Sequence, residues 1–351
     1  MRTRMDRFVD WRGAALACAM GAMLAGIARA ETAADVAFLT GPDRLEKIII
    51  GAKKEGGLTL YSSATVEDMA GIIASFEKKY GLKVKVWRGS SEDIRQRAVT
   101  ERRANRFDVD VVETAGPDIE AMHREELLQE VRSSTLDDMM PQALQPHREW
   151  VTSRISIFTT LFNTNLVKKA DAPKTYEDLL DPKWKGKLGI EAEDANWLMG
   201  IAGVLGEDKA LDLFRRIVAT NGISIRKGHT LLANMVVSGE VPLALTVYGY
   251  KANQLVHSGA PVQDVLLPPV VSLPTGVAVV RKAPSPYSAV LFWEHFLTDG
   301  QKVLLEQDNQ PTNRRVKEPP PGIVITNPQK LLDEGDRWVK IFRDIFAARA
   351  R

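Results

Sequence analysis

Predicted strands and helices alternate along the first third of the chain, and this alternation limits the possible folds more than any other feature. Strand patterns at 58–62, 83–87 and 107–113 are separated by helical patterns at 65–80 and 91–104. A strand, a helix and another strand in succession usually form a parallel sheet with a crossover helix. The sequence therefore predicts an α/β fold.

The pattern changes near 150–163, where a long apolar segment predicts one or two extended strands. Strand and helix patterns then alternate again up to residue 307, and a last helix packs through Trp338, Ile341, Phe342 and Ile345. The later predicted strands lie at 187–193, 223–228, 241–249, 262–267 and 276–282. The later predicted helices lie at 194–205, 208–219, 229–238, 250–258, 286–298 and 300–307.

Length and composition exclude several classes of protein. A chain of 351 residues suggests about two domains, and 44% hydrophobic with 26% charged residues is ordinary for a soluble globular protein. The 47 basic and 45 acidic residues nearly balance, so nothing indicates a nucleic-acid partner. The single cysteine, Cys18, cannot form a disulfide framework or a thiolate zinc site.

The N-terminus has the three parts of a secretory signal peptide. Four arginines within 1–12 precede a small, apolar run from Gly13 to Ile27, which ends in Ala28-Arg29-Ala30. Cleavage is expected before Glu31, and the remaining chain carries 42 basic and 43 acidic residues and no cysteine. Because no later run approaches 18 apolar residues, the sequence predicts a protein exported to the periplasm without a second membrane anchor.

Five segments together resemble the extracellular solute-binding proteins of ABC importers, in the branch of the periplasmic iron(III)-binding proteins. The most specific segment is PKTYEDLLDPKWKGKLGI at 173–190, preceded by FNTNLVKKA. The other four segments are LTLYSSATVEDM (58–69), FDVDVVETAGPDIEAM (107–122), SGEVPLALTVYGYKANQL (238–255) and the stretch 273–316 that begins LPTGVAVVRK. The resemblance covers nearly all of the chain after residue 30, in the expected order.

The resemblance implies a two-lobed periplasmic-binding-protein fold of the type II kind, with the ligand in the cleft between the lobes. The expected organisation is a signal peptide (1–30), lobe 1 (31–150), lobe 2 (151–272), a return to lobe 1 (273–325) and a C-terminal helix (326–351). Closure of the lobes over the ligand would create the form that a permease recognises.

The function implied by the resemblance is that of a substrate-binding component that delivers a small ligand to an ABC permease and ATPase complex in the inner membrane. Ferric iron is the leading ligand, with or without a small bound anion, and phosphonate, thiamine or a polyamine is the alternative. The protein is expected to be a monomer with no catalytic cofactor and no nucleic-acid partner. A second alternative, an exported bilobal enzyme, needs a nucleophile with a histidine partner in the cleft.

Hydroxyl side chains follow the predicted strands of lobe 1. Ser62, Ser63 and Thr65 come where the first strand gives way to a helix, Ser90 follows the second strand, and Thr114 follows the third. Hydroxyls and free N–H groups at such a helix start can bind an anion. Plain N-capping of the helices is the alternative, since Ser and Thr often have this role.

In lobe 2 the candidate ligand residues are acidic or aromatic. Glu193, Asp194 and Trp197 open the helix after a strand, where the acidic groups favour a cation or cap the helix. Tyr248 and Tyr250 end the most apolar strand, where the iron-binding relatives place a pair of tyrosines. Ferric iron suits anionic oxygen ligands, so these two phenols are the candidate metal ligands. Packed tyrosines with hydrogen-bonded hydroxyls are the alternative.

The sequence also departs from the iron-binding relatives. Gly249 separates two tyrosines that are consecutive in the relatives, Thr65 stands where some have a histidine ligand, and Ala115 stands near a glutamate ligand. The five histidines are scattered, with no His-x-x-x-His pair, and are expected at the surface or in packing.

Overall fold

The computed structural model describes residues 31–347. The predicted signal peptide lies outside the described residues. Within residues 31–347, none of the helices combines the length and the hydropathy of a membrane-spanning segment.

Twelve strands and twelve α-helices occur in residues 31–347. The strands are β1 Gly57–Ser62, β2 Lys83–Arg88, β3 Val111–Ala115, β4 Leu128–Gln129, β5 Val151–Asn163, β6 Leu188–Glu191, β7 Ser224–Arg226, β8 Leu243–Tyr248, β9 Val262–Val265, β10 Val270–Val280, β11 Gln310–Pro311 and β12 Ile323–Ile325. The helices are α1 Ala33–Ala37, α2 Arg44–Glu55, α3 Val66–Tyr80, α4 Ser91–Arg103, α5 Gly116–Arg124, α6 Ala195–Leu205, α7 Glu207–Asn221, α8 His229–Ser238, α9 Gly249–His257, α10 Pro286–Leu297, α11 Asp299–Glu306 and α12 Pro328–Phe346.

The strands form two half-sheets that share one long strand. The strand order is β2-β1-β3-β10-β5-β8-β6-β7. Strands β1, β2 and β3 are parallel to one another, as are β6, β7 and β8. Strands β10 and β5 are antiparallel to their neighbours in this order, and β10 also pairs in parallel with β12. Strand β5 pairs with β10 through its first half and with β8 and β9 through its second half. The fold is therefore α/β and two-lobed, with β5 running from one lobe into the other.

Both faces of each half-sheet are covered by buried side chains. In lobe 1, Leu60 packs into one core cluster and its neighbour Tyr61 into another, because successive strand residues point to opposite faces. In lobe 2, Leu245 and Ala244 divide between two clusters in the same way. Burying a side chain the size of leucine stabilises the fold by about 1.5–3 kcal/mol.

The helices begin and end at residues that suit helix termini. Thr65 caps α3, where its Oγ1 accepts a hydrogen bond from the Asp68 N–H at 3.1 Å, and Gly81 ends that helix with a φ of +71°. The C-terminal helix α12 places Trp338 and Phe342 in a core cluster of lobe 2. Parallel strands in each lobe thus end at the same edge, next to helix starts, and this edge positions the candidate site.

Candidate functional site

The carboxyl ends of β1 and β3 meet in a buried ion pair on the lobe 1 side. The fully buried Glu113 accepts hydrogen bonds from Ser62 Oγ at 2.7 Å and from Arg154 Nη2 at 3.1 Å. Arg154 lies on β5, the strand shared by the two lobes. Breaking such a pair would leave one buried charge uncompensated, so Glu113 and Arg154 hold this edge of the sheet in place.

The hydroxyl residues predicted for lobe 1 have different surroundings. Ser62 is buried against Glu113, and the Ser63 N–H donates to the Glu113 carbonyl oxygen at 3.0 Å. Thr65 and Ser90 are exposed and cap α3 and α4, which is the structural role that the sequence left open. Thr114 is fully buried, and within residues 31–347 its Oγ1 has no hydrogen-bond partner.

On the lobe 2 side a carboxylate, an imidazole and a phenol lie in a row, each in contact with the next. Asp194, directly before α6, lies 3.0 and 3.2 Å from Nε2 of His229, the first residue of α8. The His229 ring stacks on Tyr248 with the ring centroids 4.1 Å apart, and Tyr248 in turn stacks on Tyr250 at 5.9 Å. The ends of β6, β7 and β8 thus bring these four side chains together.

Glu191 completes this group. It ends β6, is buried, and accepts hydrogen bonds from the Gly228 N–H at 2.8 Å and the Glu193 N–H at 2.6 Å. Glu191, Asp194 and His229 each offer one ligand atom, and these three atoms lie within 4.8 Å of one another. Carboxylate and imidazole groups at such distances can hold a metal ion.

Two of the predicted lobe 2 residues lie apart from this group. Glu193 is exposed and forms an ion pair with Lys227 at 2.9 Å. Trp197 is fully buried in the core, where its Nε1–H donates to the Tyr176 hydroxyl at 3.2 Å and its ring packs 4.9 Å from Phe214. The contacts of Trp197 are those of a core residue.

The charges around the phenols are mostly negative. Burial raises the pKa of Tyr248 well above its usual value, and the Asp194 and Glu191 carboxylates raise it further, while Arg154 opposes them. Burial also raises the pKa of Tyr250, which is affected by Asp68 on α3 and by Arg154. Asp68 lies on the helix that follows β1 and Tyr250 lies on the helix that follows β8, so the pKa of Tyr250 depends on residues beside both half-sheets. A cation near the phenols would lie in a favourable field.

A cavity of about 450 Å³ adjoins Tyr250. Its wall comprises residues of α9 and β9 on one side, and residues 308–310 and the Pro-rich segment 317–321 on the other. Its size falls within the range of small-molecule sites. There is therefore room beside the Tyr250 phenol for a ligand larger than a bare ion.

The sequence did not identify His229, Glu191, Glu113 or Arg154 as site residues. His229 was expected at the surface or in packing, yet it lies between Asp194 and Tyr248. Its position directly after a predicted strand, at a helix start, is the signal that could have found it. Arg154 lies within a long apolar strand and gave no such signal.

The amino-acid sequence matches a known protein family over most of its length. The profile of a family described as bacterial extracellular solute-binding protein matches residues 71–309, more than half of the chain. The chain belongs to this family of solute-binding proteins. The predicted resemblance to extracellular solute-binding proteins is thus confirmed.

The names of several proteins that are similar to this solute-binding protein refer to iron. Iron uptake protein A1 of Synechocystis is 28% identical over 72% of this chain and 74% of its own length. Iron-bound HitA from Pseudomonas aeruginosa has a TM-score of 0.70 at 21% identity, covering 82% of this chain and 99% of HitA. Trichodesmium IdiA (FutA) in complex with iron and citrate has a TM-score of 0.69 at 22% identity, covering 83% and 99%. The structural similarities confirm the periplasmic-binding-protein fold.

Proposed function

We propose that this solute-binding protein is the periplasmic receptor of an ABC importer and that its cargo is ferric iron. The observation that carries the proposal is the stack of Tyr248 on Tyr250 beside His229, Asp194 and Glu191 at the cleft edge. Ferric iron is a hard cation and suits phenolate and carboxylate oxygens. The iron-related names of Synechocystis iron uptake protein A1 and of HitA support the same cargo.

Tyr248 and Tyr250 are the proposed metal ligands. Iron would displace the phenol protons, because a metal ligand must be deprotonated. Thr65 and Ala115 offer no imidazole or carboxylate on the lobe 1 side, so the proposed coordination leaves positions for a small anion. The cavity beside Tyr250 has room for such an anion, and the citrate in the Trichodesmium complex is consistent with one.

The proposed ligand-binding set keeps the residues predicted from the sequence, but the contacts in the structure support some of these residues more than others. Asp194, Tyr248 and Tyr250 lie beside His229, and Ser62 and Thr114 are buried at the opposite strand ends. Ser63 lies next to Ser62. Thr65, Ser90, Glu193 and Trp197 have contacts that account for them without a ligand.

The proposed lobes are those predicted, with 31–150 and 273–325 in lobe 1 and 151–272 in lobe 2, except that the first half of β5 is assigned to lobe 1, because it pairs with β10 and places Val151 in a lobe 1 core cluster. The membership of the core clusters supports this division, since Val111 and Phe292 share one cluster while Leu188 and Leu245 share another. The C-terminal helix α12 contributes Phe342 to the lobe 2 cluster. In the proposed mechanism the lobes rotate about the shared strands, and the closed form docks on the permease and ATPase complex as a monomer.

The test is a titration of the iron-free protein with ferric citrate, followed in the visible spectrum. A tyrosinate-to-iron charge-transfer band is expected, and the double variant Tyr248→Phe with Tyr250→Phe should lack the band and the iron affinity. The matched control is Tyr80→Phe at the far end of α3, which should keep both. An unchanged iron affinity in the double variant would contradict the proposed site.

A thermal-shift series separates the cargo from the receptor role. Any ligand that binds only the folded protein raises its melting temperature. If the wild type shows no visible band but is stabilised by a phosphonate, thiamine or a polyamine, the receptor role stands and iron is rejected.

A further inference from the structure

A second group of histidine and carboxylate side chains shares no residue with the group around His229. Glu120 and His123 belong to α5, and His147 belongs to the loop that leads into β5. One ligand atom from each of these three residues lies within 4.8 Å of the other two. Neither the solute-binding family nor the proposed iron site accounts for this arrangement.

The helix and the loop each present their ligand atoms to the same place. Glu120 and His123 are three residues apart on α5, so they share a face, and the Glu-x-x-His spacing is one that helical metal sites use. His147 Nε2 lies 3.3 Å from Glu120 Oε2. Ligand atoms around a four-coordinate zinc ion, with bonds of about 2.1 Å, are about 3.4 Å apart.

Neighbouring residues already orient two of the three ligands. The His123 Nδ1–H donates to Glu149 Oε2 at 2.7 Å, which leaves Nε2 of His123 as the available donor atom. Glu149 is itself held by Arg281 at 2.8 Å, and Glu120 accepts a hydrogen bond from Trp150 Nε1 at 3.1 Å. A carboxylate on the far nitrogen of a histidine ligand is the usual outer contact of a bound metal.

The two imidazole rings stack on each other beside Glu120. Their centroids lie 3.6 Å apart with an interplanar angle of 11°, and the His123 and His147 side chains are 27% and 18% exposed. Without metal, the Glu149 N–H donates to His147 Nδ1 at 3.1 Å, and the ring proton therefore lies on Nε2 and faces Glu120. A metal on Nε2 moves this proton to Nδ1 and breaks the bond from the Glu149 N–H.

We propose that Glu120, His123 and His147 form a second cation site, for a divalent transition ion of the zinc type. Two imidazoles and one carboxylate are the ligands that Zn²⁺ commonly takes, with water in the remaining position. The ion would join α5, whose first residues follow β3 at the cleft edge, to the loop that enters the shared strand β5. The site would thus stiffen lobe 1 at a distance from the cargo.

The test uses Zn²⁺ alone, without iron, and calorimetric titration of the chelator-treated full protein. His229→Ala serves as the background, because it removes the histidine of the cleft group and leaves the α5 group as the histidine-containing metal group among the described residues. In this background we expect one zinc ion per chain, and adding His123→Gln should lower the affinity at least about 10-fold. His257→Gln, on the exposed end of α9, is the matched control and should leave the affinity unchanged.

Hydrogen exchange at the Glu149 amide gives a second readout. Zinc should speed the exchange of this amide in the His229→Ala background and have no effect when His123→Gln is added, because its bond to His147 is lost only when the ion binds. The same zinc affinity with and without His123→Gln, or no binding at all, would overturn the proposal. Since iron is absent throughout, this outcome is independent of the proposed cargo.

Discussion

His295 is a buried histidine whose ionisation should control the acid stability of lobe 1. It lies on α10, is 1% exposed, and its Nε2 is 2.7 Å from Ser75 Oγ. Burial lowers its pKa to about 4, whereas an unfolded histidine has a pKa near 6.5. Between about pH 4 and pH 6.5 the histidine is therefore protonated in the unfolded chain but neutral in the folded protein. The contribution of neutral His295 to the free energy of unfolding is complete above about pH 6.5, and it is lost as the pH falls through 4.

We expect His295→Gln to remove this pH dependence. The difference in the free energy of unfolding between the wild type and the variant should change by up to about 3 kcal/mol between pH 7 and pH 4, measured by urea unfolding. The wild type must be compared with the variant at each pH, because the ionisation of Asp110 changes the free energy of unfolding with pH in the opposite direction. Burial raises the Asp110 pKa to about 6, and its contribution is lost as the pH rises. A difference that stays constant with pH would contradict the prediction.

Residues at strand ends were predictable from the sequence, but their partners were not. Tyr248, Tyr250 and Asp194 were predicted as site residues at the ends of apolar strands, and the parallel strands bring them to one edge. Trp197 follows Asp194 by three residues, yet α6 is buried on nearly all sides, so its side chain joins the core. Contacts such as the one between His229 and Asp194 join residues 35 positions apart, and only the tertiary fold brings them together.

At the scale of elements, the C-terminal helix α12 should stabilise lobe 2 through one apolar face. Phe342 is 2% exposed and packs 4.6 Å from Phe346 within the lobe 2 core cluster. Phe342→Ala should lower the free energy of unfolding by about 3–5 kcal/mol, because truncation leaves a cavity. Val339 is 36% exposed on the same helix, and Val339→Ala is the matched control with an expected change below about 0.5 kcal/mol. Equal losses in urea unfolding would show that the two faces of α12 do not differ.

Most helices and strands agree with the sequence patterns in position, but the bounds of several strands differ, and some of the shortest strands were not predicted. The predicted helix at 229–238 matches α8, and the predicted strand at 58–62 lies within β1. Strand β3 begins at Val111 rather than at 107, and β10 begins at Val270 rather than at 276. Strands of two or three residues, such as β4 and β11, are too short for any hydrophobic period and depend on pairing with β10 and β5.

At the scale of the whole molecule, the sequence could predict an α/β fold but not the strand order. The alternation of strands and helices gave the parallel sets, while the antiparallel positions of β10 and β5 between them rest on long-range pairing. Only the resemblance to solute-binding proteins supplied the two lobes in advance. The lobe connection through β5 follows from its change of partners at Ile157 and Phe158, which no local pattern encodes.

This connection leads to a prediction about the loaded protein. Because β5 is continuous between the lobes, a ligand held by both lobes should draw them together by bending the strands, and the radius of gyration in solution scattering should fall when ferric citrate is added. At an iron concentration 100 times the dissociation constant, binding should also raise the free energy of unfolding by about 2.7 kcal/mol. The double variant Tyr248→Phe with Tyr250→Phe should show neither change. Iron that stabilises the wild type without altering its radius of gyration would mean that the cargo is held by one lobe alone.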